Sequence, residues 1–253
     1  MELSDFFAQN PKAALAFSGG TDSAYLLYAA VRCGADVRAY FIKTAFQPAF
    51  ELEDARRLAA QAGAPLAVVE LDVLARPQVV ENGLRRCYHC KRELFGALWE
   101  RARADGYPVL IDGTNASDDS AARPGMQALR EMGVRSPLRE CGITKRQVRR
   151  LSREAGLFTW QKPSYACLAT RVPTGTPITA GDLARAEWAE DYLAGLGFSG
   201  FRVRVWGDAA RLQLTEDQWP RALSRRAEIE RTLRQRFGAV LLDFAVRPKE
   251  EME

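Results

Sequence analysis

With 253 residues, 47% hydrophobic and 27% charged, the chain can bury one large core or two modest ones and is too apolar for widespread disorder. It contains no run of about 18 apolar residues, and its acidic start, "MELSDFFAQN", lacks the basic region of a signal peptide; the expectation is a cytoplasmic protein with no membrane partner. A net charge of +4 suits an anionic small molecule such as a nucleotide and falls short of a nucleic-acid footprint.

In chain order, "AALAF" from residue 13 reads as a buried strand. It is followed by the Gly-rich turn "SGGTDS" and by "AYLLYAAVRCG", whose apolar spacing is helical and which ends at Gly34. "DVRAYFI" reads as a second strand, "ELEDARRLAAQAG" as a helix closed by Gly63, and "PLAVVEL" as a third strand. After "RRCYHCKRE", the stretch "RELFGALWERARADG" reads as a helix from Lys91 onward and "PVLIDGTN" as a fourth strand ending in a polar loop. This alternation predicts an α/β fold, a parallel sheet with helices on both faces.

Residues 116–142 carry turn signals and one short helix, "GMQALREMG", and "TKRQVRRLSREAG" predicts a basic helix with Thr144 as its N-cap. The aperiodic, proline-punctuated stretch 157–178 reads as a functional loop followed by a boundary. Beyond it the order becomes helix (180–195), strand (201–206), strand (210–214), helix (216–236) and strand (239–246), which predicts a small α+β domain with a two-stranded ribbon. Two domains are therefore expected, 1–177 and 178–253.

Between strand and helix, the backbone N–H groups of Ser18–Ser23 form a natural anion cradle, with Gly19 and Gly20 permitting close approach and Ser18, Thr21 and Ser23 offering hydroxyls. The lysine and spacing of a Walker A loop are absent, and a Gly-Gly pair alone is equally well a tight turn. "DGTNASDD" follows a parallel strand, where such sheets bind ligands, so Gly113, Thr114 and Asn115 are candidates to face one; an Asx-rich turn is the alternative. The five cysteines, at 33, 87, 90, 141 and 167, are an odd number that argues against a disulfide framework. Cys87 and Cys90 flank His89, and their spacing alone is compatible with a zinc half-site, a redox pair, part of an iron-sulfur cluster, or two thiols at the start of a helix. Cys33 and Cys141 read as incidental thiols.

The full string SGGxDS in its strand-loop-helix context resembles the PP-loop of ATP pyrophosphatases, the adenine nucleotide alpha hydrolase-like proteins that cleave ATP to AMP and pyrophosphate. That resemblance implies ATP binding by Ser18, Gly19, Gly20, Thr21, Asp22 and Ser23, with Asp22 helping to hold Mg2+ on the pyrophosphate. "ARPGMQALREMGVRSPL" and "KPSYACLATRVPTGTPIT", joined to SGGTDS and CYHCKRE, look like the LarE family of ATP-dependent sulfur transferases, which help build the nickel-pincer nucleotide cofactor of lactate racemase. The likeness runs from about residue 13 to "FRVRVWGDAARLQL".

The family resemblance implies adenylylation of a carboxylate of pyridinium-3,5-biscarboxylic acid mononucleotide, followed by displacement of AMP by sulfur. Cys167 falls at the functional cysteine of PSxxCLxxR. In one branch of the family that cysteine is itself the sulfur donor. In the other branch, whose pattern this chain matches, Cys87, Cys90 and Cys167 hold a 4Fe-4S cluster and leave one iron free to carry sulfide. Substrate and phosphate contacts map to Arg171, Glu190, Arg202 and Arg204, guanidinium groups suiting carboxylates and phosphate. Where the family often has His and Glu, this chain has Trp206 and Gln213, a departure in the C-terminal site. A homo-oligomer is implied, and the source of sulfide is not indicated. A tRNA thiolation enzyme, which also combines a PP-loop with a CxxC pair and a third cysteine, is the competing enzyme reading, and a zinc-structured binding module the non-catalytic one.

Overall fold

The structure is a computed structural model that describes residues 1–118 and 124–248. The described residues separate into two compact units, the first comprising 1–73 and 85–162, the second 74–84 and 163–248.

The first unit begins with α1 (Leu3–Gln9), β1 (Lys12–Ala16), α2 (Thr21–Arg32), β2 (Asp36–Lys43), α3 (Ala49–Ala62) and β3 (Leu66–Glu70). The short α4 (Pro77–Val80) belongs to the second unit, after which α5 (Arg86–Ala104), β4 (Leu110–Asp112), α6 (Pro124–Glu131), α7 (Pro137–Glu140) and α8 (Lys145–Glu154) complete the first. Its four strands are all parallel, in the order β3-β2-β1-β4. Because successive side chains of a strand point to opposite faces, Ala13, Leu15 and Phe17 enter one core with Leu26, Leu27 and Leu58 of α2 and α3. Ala14 enters the other, with Phe95, Leu98 and Ala102 of α5. Helices thus cover both faces, as the alternation predicts. Thr144 caps α8 as expected, its hydroxyl accepting from the Gln147 N–H.

One boundary differs from the sequence expectation. Helix α5 starts at Arg86, not Lys91, so "CYHC" lies inside the helix, across its first and second turns. The cause is tertiary: Tyr88 places its hydroxyl 2.6 Å from Glu131 Oε2 on α6, while the Arg85 guanidinium stacks 4.5 Å from the Tyr88 ring.

The second unit contains α4, α9 (Ala180–Gly195), β5 (Arg202–Trp206), β6 (Ala209–Gln213), α10 (Trp219–Ser224), α11 (Arg226–Leu233) and β7 (Ala239–Leu242). Its sheet, ordered β5-β6-β7, pairs β5 with β6 antiparallel and β6 with β7 parallel. The expected ribbon therefore gains a third strand, reached by a helical crossover as parallel pairing requires. The helix expected over 216–236 is broken into a 3-10 turn (Glu216–Gln218), α10 and α11, with Pro220 in the first turn of α10 and the break at Arg225. Ala186, Leu193, Val203, Leu212, Ile229 and Leu233 form the core.

Residues 163–177, expected in the first domain, fold with the second unit, as does 74–84. The physical reason is burial: Leu168, Ala169 and Arg171 of a 3-10 turn (Leu168–Arg171) are buried and pack on α9 and β5. Asn82, buried and in the left-handed region at φ 56°, donates 2.8 Å hydrogen bonds to the carbonyls of Pro173 and Thr176. Among the described residues no helix is long and apolar enough to cross a membrane.

Candidate functional site

In the first unit the turn Ser18–Gly20 joins the C-terminal end of β1 to the N-terminus of α2. Gly19 sits at φ +69°, and a Cβ there would come within 3.1 Å of the Glu51 carbonyl, so only glycine fits this conformation and this space. Gly20 is the N-cap of α2 and no described side chain caps the helix, which leaves the first-turn N–H groups directed at whatever occupies the loop. Ser18 and Ser23 hydroxyls lie 3.1 Å apart. The Thr21 hydroxyl, expected to be offered to a ligand, is buried and donates to the Thr159 carbonyl at 2.8 Å, which ties the loop down.

Gly113–Asn115, predicted to face the same ligand, meet this loop. A Cβ on Gly113 would lie 2.8 Å from Ser23 N and 3.0 Å from Ser23 Cα, so β4 delivers its backbone directly onto the start of α2. Asn115, 2% exposed, donates to Asp22 Oδ1 at 3.3 Å. Asp112 accepts from the hydroxyls of Thr114 and Ser136 at 2.6 and 2.7 Å and fixes the β4 loop. Gly113→Ala is expected to cost about 1–3 kcal/mol through overpacking, read from denaturant unfolding; wild-type stability in that variant would refute the close approach.

Two lysines not singled out from the sequence join the site. Lys145, the first residue of α8, pairs with Asp22 Oδ2 at 2.5 Å. Lys162 pairs with Asp54 at 2.6 Å and lies 3.4 Å from the Gly19 carbonyl. Neither has a local signal, because each reaches across more than a hundred residues to its partner. The loop opens on a cavity of about 300 Å³ whose wall includes Ser18, Asp22, Ser23, Gly113, Thr114 and Asp118, the end of β2 (Tyr40–Ile42), and Lys91, Leu94, Phe95 and Leu98 of α5. Asp22 and Asp118 supply oxygen donors of the kind Mg2+ takes alongside phosphates.

Cys87 and Cys90 lie one turn apart on α5, Cys87 exposed and Cys90 half-buried. Residues three and four apart share a helix face, so the pair continues the stripe of Lys91, Leu94 and Leu98 that lines the cavity. Arg86 Nη2 stands 3.5 Å from Cys87 Sγ, and Gly125 of the "ARPGM" string packs against the Cys87 turn, where an added Cβ would meet the Cys87 Cβ at 3.8 Å. Ala122 and Arg123 of that string lie outside the described residues. Two soft thiolate donors from one turn suit an iron-sulfur cluster better than a hard cation. Among the described residues no group of three or more His, Cys, Asp or Glu side chains is gathered as a metal site, and Cys167 belongs to the second unit.

In that second unit Cys167 precedes the 3-10 turn Leu168–Arg171. Arg171 is fully buried and pairs with Glu190 through Nε and Nη2 at 2.8 and 2.9 Å, while its Nη1 donates to the Ala166 carbonyl at 2.7 Å and lies 3.4 Å from that of Cys167. Burial opposes the charge of Arg171, yet its hydrogen bonds to Glu190 hold its pKa above the usual value. Glu190 also accepts from the Val203 N–H at 2.9 Å and the Tyr165 hydroxyl at 2.6 Å; burial and then the Glu190 charge push the Tyr165 pKa up. Arg171 thus holds the backbone at Ala166–Cys167 and is itself held by Glu190, so the hydrogen bonds of both expected substrate contacts are engaged within the protein. Arg202, 7% exposed, donates to the carbonyls of Phe201 and Ser164 at 2.6 and 2.7 Å, and burial followed by repulsion from Arg171 and Arg247 lowers its pKa to about 10. Arg204, half-buried, is shifted down by the same two causes. A buried cation held by neutral carbonyls is a seat for an anion.

No protein-family model matches the chain. It is 40% identical over 219 residues to an uncharacterized protein of Synechocystis sp., spanning 85% of this chain and 81% of that protein. It is 35% identical over 204 residues to the pyridinium-3,5-bisthiocarboxylic acid mononucleotide synthase of Lactiplantibacillus plantarum, spanning 80% and 74% of the two. A more distant likeness, 25% over 193 residues, links 60% of the chain to 54% of the tRNA-specific 2-thiouridylase MnmA of Thermotoga sp.. With a Gly-rich loop joining the first strand of a parallel sheet to its helix, and this identity over most of both chains, the protein belongs to the LarE family of sulfur-transferring PP-loop enzymes.

Proposed function

We propose that the protein uses ATP to convert a carboxylate of pyridinium-3,5-biscarboxylic acid mononucleotide into a thiocarboxylate, a step in making the nickel-pincer nucleotide cofactor. The observation that carries this reading is the similarity, over four fifths of the chain, to a synthase named for the bisthiocarboxylic product; the loop, cavity and buried arginines are consistent with it.

A carboxylate resists attack by sulfur until its oxygen becomes a good leaving group. In this reading a carboxylate oxygen attacks the α-phosphorus of ATP, the bond to pyrophosphate breaks, and pyrophosphate departs with the electron pair. The N–H groups of Gly20–Ser23 and the Ser18 and Ser23 hydroxyls cradle the polyphosphate. Asp22 and Asp118, on the cavity wall, would hold Mg2+, with Lys145 released from Asp22 toward the phosphates. A sulfur nucleophile then attacks the acyl carbon and AMP leaves, while Arg202 and Arg204 hold the substrate's anionic groups. Cys87, Cys90 and Cys167 would hold a 4Fe-4S cluster, which when bound supplies an iron free of protein ligands that can carry sulfide. The same reading carries a cytoplasmic homo-oligomer.

A second reading, in which Cys167 gives up its own sulfur, draws support from the way Arg171 and the Thr170 hydroxyl hold the Cys167 carbonyl, the latter at 2.8 Å. Protein purified without oxygen is expected to contain iron and sulfide but not zinc, and to form more than one thiocarboxylate per chain when sulfide is supplied. Zinc without iron would sink the cluster. A yield stopping at one per chain, with Cys167 losing the mass of hydrogen sulfide, would establish the sacrificial route. Thiolated tRNA as the product would overturn the substrate assignment.

A further inference from the structure

Arg204 is held by two neutral oxygens. Its Nη1 donates to the Thr170 carbonyl and its Nε donates to Gln213 Oε1 at 2.7 Å. Burial, then Arg171, Arg247 and Arg211, all push its pKa down, and the opposing pull of Glu190 is the smallest of these influences. Glu190 is already engaged by Arg171, Tyr165 and the Val203 N–H. The charge of Arg204 is thus positioned without being neutralised.

Gln213 is itself oriented from behind. Its Nε2 donates to Asp243 Oδ2 at 2.6 Å, and the same carboxylate oxygen takes the Arg211 guanidinium at 2.6 Å. Asp243, 8% exposed, also accepts from the Ala245 N–H at 3.1 Å, and its hydrogen bonds from Arg211 and then Gln213 hold its pKa below the usual carboxylate range. An amide between a guanidinium and a carboxylate has one stable orientation: oxygen toward the cation, NH2 toward the anion. Adjacent strands supply the geometry, since Arg204 faces Arg211 across the β5–β6 pair and Arg202 faces Gln213.

We propose that Gln213 is a specificity-determining positioning residue, presenting Arg204 to a doubly charged group of the substrate with its charge intact while Asp243 locks the amide. A glutamate at 213 would pair with Arg204 directly, cancelling that charge, and would set a second carboxylate against Asp243. The ligand class is a phosphate monoester dianion. The inference rests on the reading that the second unit holds the substrate's anionic groups.

The test uses the full chain and two probes at pH 8, methyl phosphate as dianion and dimethyl phosphate as monoanion, with binding measured by calorimetry. The wild type is expected to prefer the dianion at least about ten-fold, and Gln213→Glu to erase that preference. Gln213→Met, which removes the hydrogen bonds without adding charge, should weaken both probes together. Asp243→Asn keeps an oxygen for the Gln213 amide and should leave the dianion preference intact, providing a second measurement if Gln213→Glu fails to fold. An unchanged dianion preference in folded Gln213→Glu, or its loss in Asp243→Asn, would overturn the role given to Gln213. If neither probe binds the wild type while Arg202→Ala leaves sulfur transfer untouched, it is the underlying anion-site reading that fails.

Discussion

Arg171→Ala is expected to destabilise the second unit by about 3–5 kcal/mol, the cost of leaving one member of a buried ion pair alone. Arg171 is wholly shielded from solvent and Glu190 nearly so, and the pair joins through two parallel N–H···O bonds. Removing the guanidinium would strand the Glu190 carboxylate with the Val203 N–H and the Tyr165 hydroxyl, and would release the Ala166 carbonyl from its donor. For a unit of this size the loss corresponds to a fall in Tm of roughly 10 °C or more. Arg171→Lys would recover only part, because an ammonium cannot supply paired planar donors, whereas replacing both Arg171 and Glu190 by methionine should cost less than either single truncation. A melting curve for Arg171→Ala within two or three degrees of wild type, a difference of about 0.5 kcal/mol, would show that the pair does not support this unit.

Cys167→Ser is expected to lower thiocarboxylate formation by about a thousand-fold or more, as removal of a reacting group commonly does, while leaving adenylylation in place. The SGGTDS loop and its cavity are built within the first unit, and in the proposed mechanism the attack on ATP is made by a substrate carboxylate and does not use the thiol. A single burst of pyrophosphate, close to one per chain, should therefore persist, with the adenylylated substrate accumulating. Rapid-quench measurement of pyrophosphate and thiocarboxylate on the same samples separates the two steps. Loss of the burst together with the product would place Cys167 in the first step, contrary to the mechanism proposed above, and full retention of product would remove it from the reaction. Iron analysis of the same variant bears on the cluster: a normal cluster without Cys167 would exclude that residue as a ligand.

What the sequence made legible follows the range of the forces involved. The alternation of Ala13, Ala14 and Leu15 between two cores is a property of β geometry itself, so strand, face and fold class could be read from periodicity. Thr144 and Gln147 cap α8 from three residues apart, and that too is written locally. The start of α5 was not, because Tyr88 is drawn into the helix by Glu131, 43 residues further on. The division of 216–236 was missed although Pro220 marks the start of α10; the later break at Arg225 carries no proline or glycine to announce it. In the site, motif strings located the Gly-rich loop and the arginines. They did not show that Arg171 and Glu190 spend their hydrogen bonds on each other, nor that Lys145 reaches Asp22 and Asp243 reaches Gln213. Such pairings depend on which strands become neighbours, and a single chain read linearly carries no local trace of that.

The placement of 74–84 with the second unit has a consequence for how the molecule can be dissected. Among the described residues the peptide backbone passes between the units three times, after residues 73, 84 and 162. One protease cut anywhere in the chain therefore cannot free either unit as an intact piece. A fragment beginning at 178 would lack Cys167 and Arg171. One beginning at 163 would lack Asn82, whose amide stitches the 172–176 loop and whose own carbonyl receives the Gly175 N–H at 2.9 Å. An excised second half should fold only when a peptide covering 74–84 is added back, which makes that eleven-residue insert a removable part through which the assembly of the Cys167 site could be switched on in the test tube.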